Sequence, residues 1–79
     1  MKLPRDLSGR RLTRMLCRRW DYRIMHQVGS HIVLQTEMPS HQRIVIPDHD
    51  VLRPGTLNGI LRSVARHKSI LRETLMQSL

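Results

Sequence analysis

Apolar positions along this chain change their period from one segment to the next. Leu12, Met15, Leu16 and Arg19 recur at three- and four-residue spacing, a narrow stripe suited to one face of a helix. Ser8 is a good N-cap residue, and Leu7 and Leu12 stand at the two positions of a hydrophobic staple, so the helix is predicted to run from Gly9 to near Arg19. Two runs rich in β-formers follow, Asp21 to Val28 and Ser30 to Glu37, folded back on one another at Gly29-Ser30. A two-residue turn sets Tyr22, Ile24, His26 and Val28 on one face with His31, Val33 and Gln35, and Met25 and Gln27 on the other with Ile32 and Leu34. Both faces carry apolar residues, so the alternation leaves the core side open.

After the polar loop Met38-Pro39-Ser40-His41-Gln42, Arg43 to Ile46 reads as a short third strand stopped by Pro47. Asp48 to Pro54 connects to a second helix capped by Thr56, with Leu57, Ile60, Leu61 and Val64 on its apolar face. Ser69 is predicted to cap a last helix carrying Leu71, Leu75 and Leu79. The order α-β-β-β-α-α implies an α+β fold, a three-stranded antiparallel sheet with helices packed on one side, in a single domain spanning residues 1–79.

Composition narrows the class. No apolar run approaches the ~20 residues of a membrane span, and the first residues form no signal-like apolar stretch. The single cysteine, Cys17, fits a reducing, cytoplasmic setting and reads as a helix-packing residue rather than a nucleophile. The net charge of +8 is uneven, since eight of the fourteen Lys and Arg residues fall within the first 23 positions against Asp6 and Asp21. Such a field recruits polyanions in a salt-dependent way. Basic runs are often only solvated helix faces. The first helix lacks the bulky apolar face of a membrane anchor, which favours nucleic acid, with Arg10, Arg14 and Arg18 as the RNA-binding side chains.

The five histidines have neither the helical spacing nor a cysteine partner that zinc sites use, so no metal and no cofactor is expected. No glycine-rich phosphate loop, serine elbow or acidic two-metal cluster is present. One reaction needs little more than what remains. RNA carries its own nucleophile, the 2′-hydroxyl, and cleavage requires cations on the backbone and one acid–base group. His31, directly after the turn and opposite Val28, is the candidate, with Gly29 and Ser30 of the turn beside the RNA. Local sequence alone favours the plainer reading, a polar residue that starts a strand. An inert RNA-binding module and a basic structural protein of a ribonucleoprotein would offer the same parts.

The ordered set Leu3-Pro4-Arg5-Asp6-Leu7-Ser8-Gly9, Gly29-Ser30-His31, Ile46-Pro47-Asp48-His49 and Arg53-Pro54-Gly55-Thr56-Leu57, followed by Ile60-Leu61-Arg62, resembles the HicA (YcfA-like) toxin family over nearly the whole chain. The resemblance implies a double-stranded-RNA-binding-domain-like fold and an mRNA interferase with a cognate HicB-like antitoxin as partner. It also implies catalysis by the histidine after the Gly-Ser turn, here His31; the family's Pro-x-His matches Pro47-Asp48-His49, whose role stays open, a structural hydrogen bond being the plainer reading. Many members carry a glycine between the two C-terminal helices. This chain has Arg66-His67-Lys68 there, which weakens the expectation of a left-handed helix cap. The scarcity of aromatic residues agrees with recognition by shape and backbone rather than by stacked rings.

Overall fold

The computed structural model describes residues 3–79; Met1 and Lys2, the latter one of the N-terminal cations, lie outside the described residues. Six elements follow in order: α1 (Gly9–Arg19), β1 (Arg23–Val28), β2 (His31–Thr36), β3 (Gln42–Pro47), α2 (Pro54–Lys68) and α3 (Arg72–Met76). The strands form one antiparallel sheet in the order β1-β2-β3, giving the expected α+β layout. Among the described residues no helix is long and apolar enough to cross a membrane.

The first helix begins as its residues dictate. Ser8 is extended, and its Oγ accepts the Arg11 backbone N–H at 3.0 Å. Leu7 and Leu12 are both buried in the core. The buried stripe comprises Leu12, Thr13, Met15 and Leu16 but not Arg19, which is exposed. The helix ends there: Trp20 caps it through Leu16 O at 3.0 Å, and Asp21 turns the chain with φ 63°. Arg19 therefore sits beside the last carbonyls, where its charge suits the helix dipole.

Gly29 adopts the left-handed φ of 57° that the hairpin turn needs, and Val28 faces His31 as expected. The register then slips. His26 pairs with Val33, but Ile24 pairs with Leu34, because Met25 is taken up in a bulge. Ile24 consequently moves to the face of Ile32 and Leu34, against the simple alternation. That face is the core side: Ile32, Leu34 and Ile46 pack with Leu12, Leu16, Leu57, Leu61, Val64 and Leu75. All six residues of β1 are exposed. The third strand takes in Pro47 as its last residue, with Pro47 facing His31.

Both C-terminal caps differ from expectation. The second helix starts at Pro54, preceded by Arg53 with no side-chain cap, and Thr56 lies inside the first turn. Proline at the first helical position has a suitable φ and no N–H to satisfy, so it sets the start itself. Ser69 does not cap α3. It ends α2 in a left-handed conformation, φ 56° and ψ 46°, while Leu71 precedes α3 and is exposed. Ile70 N–H reaches Ala65 O at 3.0 Å and Ser69 N–H reaches Arg66 O at 3.3 Å, the paired bonds of a Schellman motif with serine in the place glycine usually takes. Leu75 is the fully buried residue of α3, and Leu79 packs against the core edge. The far end of the sheet is held by Lys68, whose Nζ donates to Thr36 Oγ1 at 3.0 Å and lies 4.7 Å from the Tyr22 ring centre. Tyr22 in turn donates its hydroxyl to Gln42, and burial pushes its pKa up to about 12.

At the opposite end α1 is pressed onto the exit of β3. A Cβ on Gly9 would stand 1.8 Å from the Pro47 carbonyl oxygen, while Gly9 N–H donates to His49 O at 3.0 Å. Alanine is normally the better helix residue, so the sign of a Gly9→Ala substitution tests this contact. It is expected to destabilise by about 2 kcal/mol or more, because backbone has to move, and a denaturation midpoint at or above wild type would contradict the close approach. Ser69→Gly is expected to do the reverse, gaining about 1 kcal/mol by relieving a left-handed non-glycine residue. An unchanged midpoint would mean that the cap is not strained.

Candidate nucleic-acid interface

Three segments distant in sequence meet at the hairpin end of the sheet: the first turn of α1, the Gly29-Ser30 turn and Pro47-Asp48-His49. Backbone bonds fix them, with Asp48 N–H donating to Ser30 O at 2.6 Å and Gly9 N–H to His49 O. Asp48 adds side-chain contacts. Arg10 Nε donates to its Oδ1 at 3.0 Å and Arg10 Nη2 to its Oδ2 at 3.4 Å, while Gln27 Nε2 lies 3.0 Å from Oδ2. Gln27 Nε2 also donates to Gly29 O at 3.0 Å, tying the carboxylate to the turn. The Arg10 guanidinium, followed by the Gln27 amide, holds the Asp48 carboxyl below its ordinary pKa. The Asp48 side chain is only 15% exposed and that of Arg10 77%, so a sheltered carboxylate anchors a guanidinium that still faces water.

His31 is better fixed than a hairpin-end position suggested, because its backbone stands in the central strand, between Val28 and Pro47. Ile32 and Leu34 point into the core, so His31, Val33 and Gln35 stand on the face away from the helices, beside His26, Arg43 and Val45 of the neighbouring strands. The ring is exposed and makes no hydrogen bond among the described residues.

The arginines lie on the helix side. Arg10, Arg14 and Arg18 border a groove of about 480 Å³ between α1 and β1, floored by Cys17, Ile24 and Ile32. Thr13 also lines it, with a buried hydroxyl that finds no partner. Arg14 and Arg18 are exposed and form no ion pair among the described residues. Burial pushes the Cys17 thiol pKa up, which suits packing rather than nucleophilic chemistry. Arg10 is thus linked through Asp48 to Ser30 at the hairpin end, whereas Arg14 and Arg18 line the groove along β1, on the side of the sheet opposite His31. A strand of RNA that touched the groove and His31 together would have to pass around the hairpin tip.

The other histidines are dispersed. His41 pairs with Glu37, drawing that carboxyl below its usual pKa, and His67 Nε2 sits 2.8 Å from Ser40 O. Among the described residues no three His, Cys, Asp or Glu side chains come together as a metal site. The structural hydrogen bonds at Pro47-Asp48-His49 are made by the His49 carbonyl and by both the N–H and the side chain of Asp48, while the His49 ring is exposed. Sequence reasoning had passed over Gln27, Gly9 and the carboxylate of Asp48. Only Asp48 left a signal, a lone acid in a short motif between two basic helices.

The depressed carboxyl pKa of Asp48 makes its contribution to stability pH-dependent. It is full above the unfolded value near 3.9 and is lost as pH falls through the lower folded value. Wild type is therefore expected to be more stable than Asp48→Asn at neutral pH, and the difference should shrink as acid protonates the carboxyl. Urea midpoints from neutral pH into acid check it, and equal midpoints at neutral pH would show that the clamp is idle.

Comparison with protein-family models, with curated proteins and with solved structures finds no match to this chain, so the likeness to the HicA family stands on the quoted residues alone.

Proposed function

We propose that this protein is a metal-independent endoribonuclease, the cytoplasmic toxin of a toxin–antitoxin pair, with His31 as its acid–base group. The observation that carries the reading is the presentation of His31: a ring exposed to solvent and free of internal bonds, on a backbone held from both sides in the central strand. A proton-transfer group needs that combination of fixed position and free nitrogens. His31 takes the proton of a ribose 2′-hydroxyl as that oxygen attacks the adjacent phosphorus. The bond to the 5′-oxygen breaks, that oxygen takes a proton from water, and His31 gives the proton it accepted back to solvent, so the products are a 2′,3′-cyclic phosphate and a 5′-hydroxyl. Arg10, at the hairpin end, faces the charge that gathers on the phosphoryl oxygens. Arg14 and Arg18 grip the backbone beyond it. The resemblance supplies the biological setting, mRNA as substrate and a HicB-like antitoxin that masks His31 and the basic helix until it is removed.

One observation favours a second reading. The groove of Arg14 and Arg18 opens on the side of the sheet opposite His31. An inert RNA-binding module would need only the groove.

Cleavage separates the two. His31→Ala is expected to reduce the rate by about 100-fold or more, with the fold and most of the RNA affinity retained, since the residue is exposed and its ring makes no hydrogen bond among the described residues. His31→Gln should be equally inactive, because an amide does not exchange a proton near neutral pH. Wild-type cleavage should persist in EDTA and leave cyclic phosphate ends. Cutting by His31→Ala at the wild-type rate, or loss of wild-type cutting on chelation, would overturn the scheme.

A further inference from the structure

The second helix carries a basic groove of its own. Gly59, Arg62, Ser63 and Arg66 recur at helical spacing on the side of α2 turned away from buried Leu57, Leu61 and Val64. With Gln42 at the start of β3 and with His67 they line a groove of about 520 Å³. This groove lies along the β3 side of the sheet, whereas the Arg10, Arg14 and Arg18 groove lies along β1.

Three features mark it as more than a solvated face. Its lining is polar and contains no carboxylate, and Arg62 and Arg66 are exposed with no ion pair among the described residues. Arg66 and His67 in the last turn are accounted for by the helix dipole, but that effect fades within a turn and does not reach Arg62. The polar floor is rigid: Gln42 accepts the Tyr22 hydroxyl and donates to Ser63 O at 3.3 Å and Ser63 Oγ at 3.2 Å, and His67 is tied to Ser40 O. Finally, no close contact among the described residues requires a glycine at position 59. Glycine is unfavourable inside a helix, and a Cβ at this position would meet nothing within 4 Å. A ligand that comes close to the helix backbone gives the missing side chain a purpose.

We propose that this groove is a second site for the phosphate backbone of RNA, with Arg62 and Arg66 as its phosphate contacts and Gly59 as the opening that lets the strand approach. The ligand is a nucleic-acid backbone rather than an acidic protein, because two arginines line the groove and no aliphatic, phenyl or indole side chain is present to anchor a protein interface. The assignment rests on the reading of the chain as an RNA-binding protein. Together the two grooves grip RNA from both edges of the sheet.

The test uses the full chain and a labelled 2′-O-methyl RNA of roughly 20 nucleotides, which has no 2′-hydroxyl to attack, titrated between about 50 and 300 mM salt. Arg62→Ala combined with Arg66→Ala is expected to weaken binding about ten-fold and to flatten the salt slope by about one to two, with helix content unchanged. Gly59→Glu, which adds a carboxylate in open space and improves helix propensity, should also weaken binding without lowering the melting temperature. Wild-type affinity in both variants, alongside weakened binding by Arg14→Ala with Arg18→Ala, would overturn the second site and leave the RNA reading standing. Absence of salt-dependent binding by wild type would overturn both. Labelled polyglutamate serves as the acidic-protein probe. If the arginine pair is needed for polyglutamate but not for RNA, the groove is a protein surface and the assignment is wrong.

Discussion

The contact on which this structure most depends is the approach of Gly9 to Pro47. A helix can lie that close to a strand end only where it has no side chain, and the gap left by the missing Cβ is filled by a carbonyl oxygen. Once the two are in contact, the first turn of α1 lies beside Asp48, and the rest of the junction follows. The Gly9 N–H finds His49 O, Leu52 N–H finds Leu7 O at 2.9 Å, and Arg10 is brought to the Asp48 carboxylate. An exposed ion pair is ordinarily worth little. This one matters through its connections, because the same carboxylate also binds the Gln27 amide that reaches the hairpin turn.

That junction has a cost for the simplest picture of substrate binding. Arg10, the arginine nearest the turn, already has an anionic partner, so a phosphate at this point meets a guanidinium whose direction is set by Asp48. The arrangement trades affinity for orientation. Arg14 and Arg18, further along the helix, form no ion pair among the described residues, nor do Arg62 and Arg66 at the other edge, and in the proposed function these are the side chains left to grip a backbone. Along the groove beside α1 the charge is thus divided between one guanidinium paired with a carboxylate, Arg10, and two exposed ones, Arg14 and Arg18, with no ion pair among the described residues.

Sequence legibility follows the range of each interaction. The first helix was readable, apart from the places of Thr13 and Arg19, because the Ser8 cap, the Leu7 and Leu12 pair and most of the apolar stripe are local. The Gly29 turn and the pairing of Val28 with His31 were readable for the same reason. The bulge at Met25 was not, since every residue of β1 is exposed and alternation carries no information on such a strand. Thr56 and Ser69 misled because both are good cap residues by type, while Pro54 and a left-handed helix end decided the boundaries. The place of His31 was legible, but its separation from Arg14 and Arg18 was not. That depends on which face of the sheet the helices cover, and a sheet with apolar residues on both faces does not declare it.

The exposed β1 has a consequence for motion. It is an edge strand with a bulge, paired in the sheet only with β2 and tied besides by its Gln27 amide to Asp48 at the hairpin end, and it contributes no fully buried side chain to the core. Its backbone bonds can open by local fraying, without the cost of unfolding the helices or the other two strands. His31 does not travel with it. Its strand remains paired with β3, and the neighbouring Ser30 carbonyl remains bonded to Asp48 N–H. The groove beside α1 can therefore widen and narrow as β1 breathes, while the imidazole on the other face keeps its place.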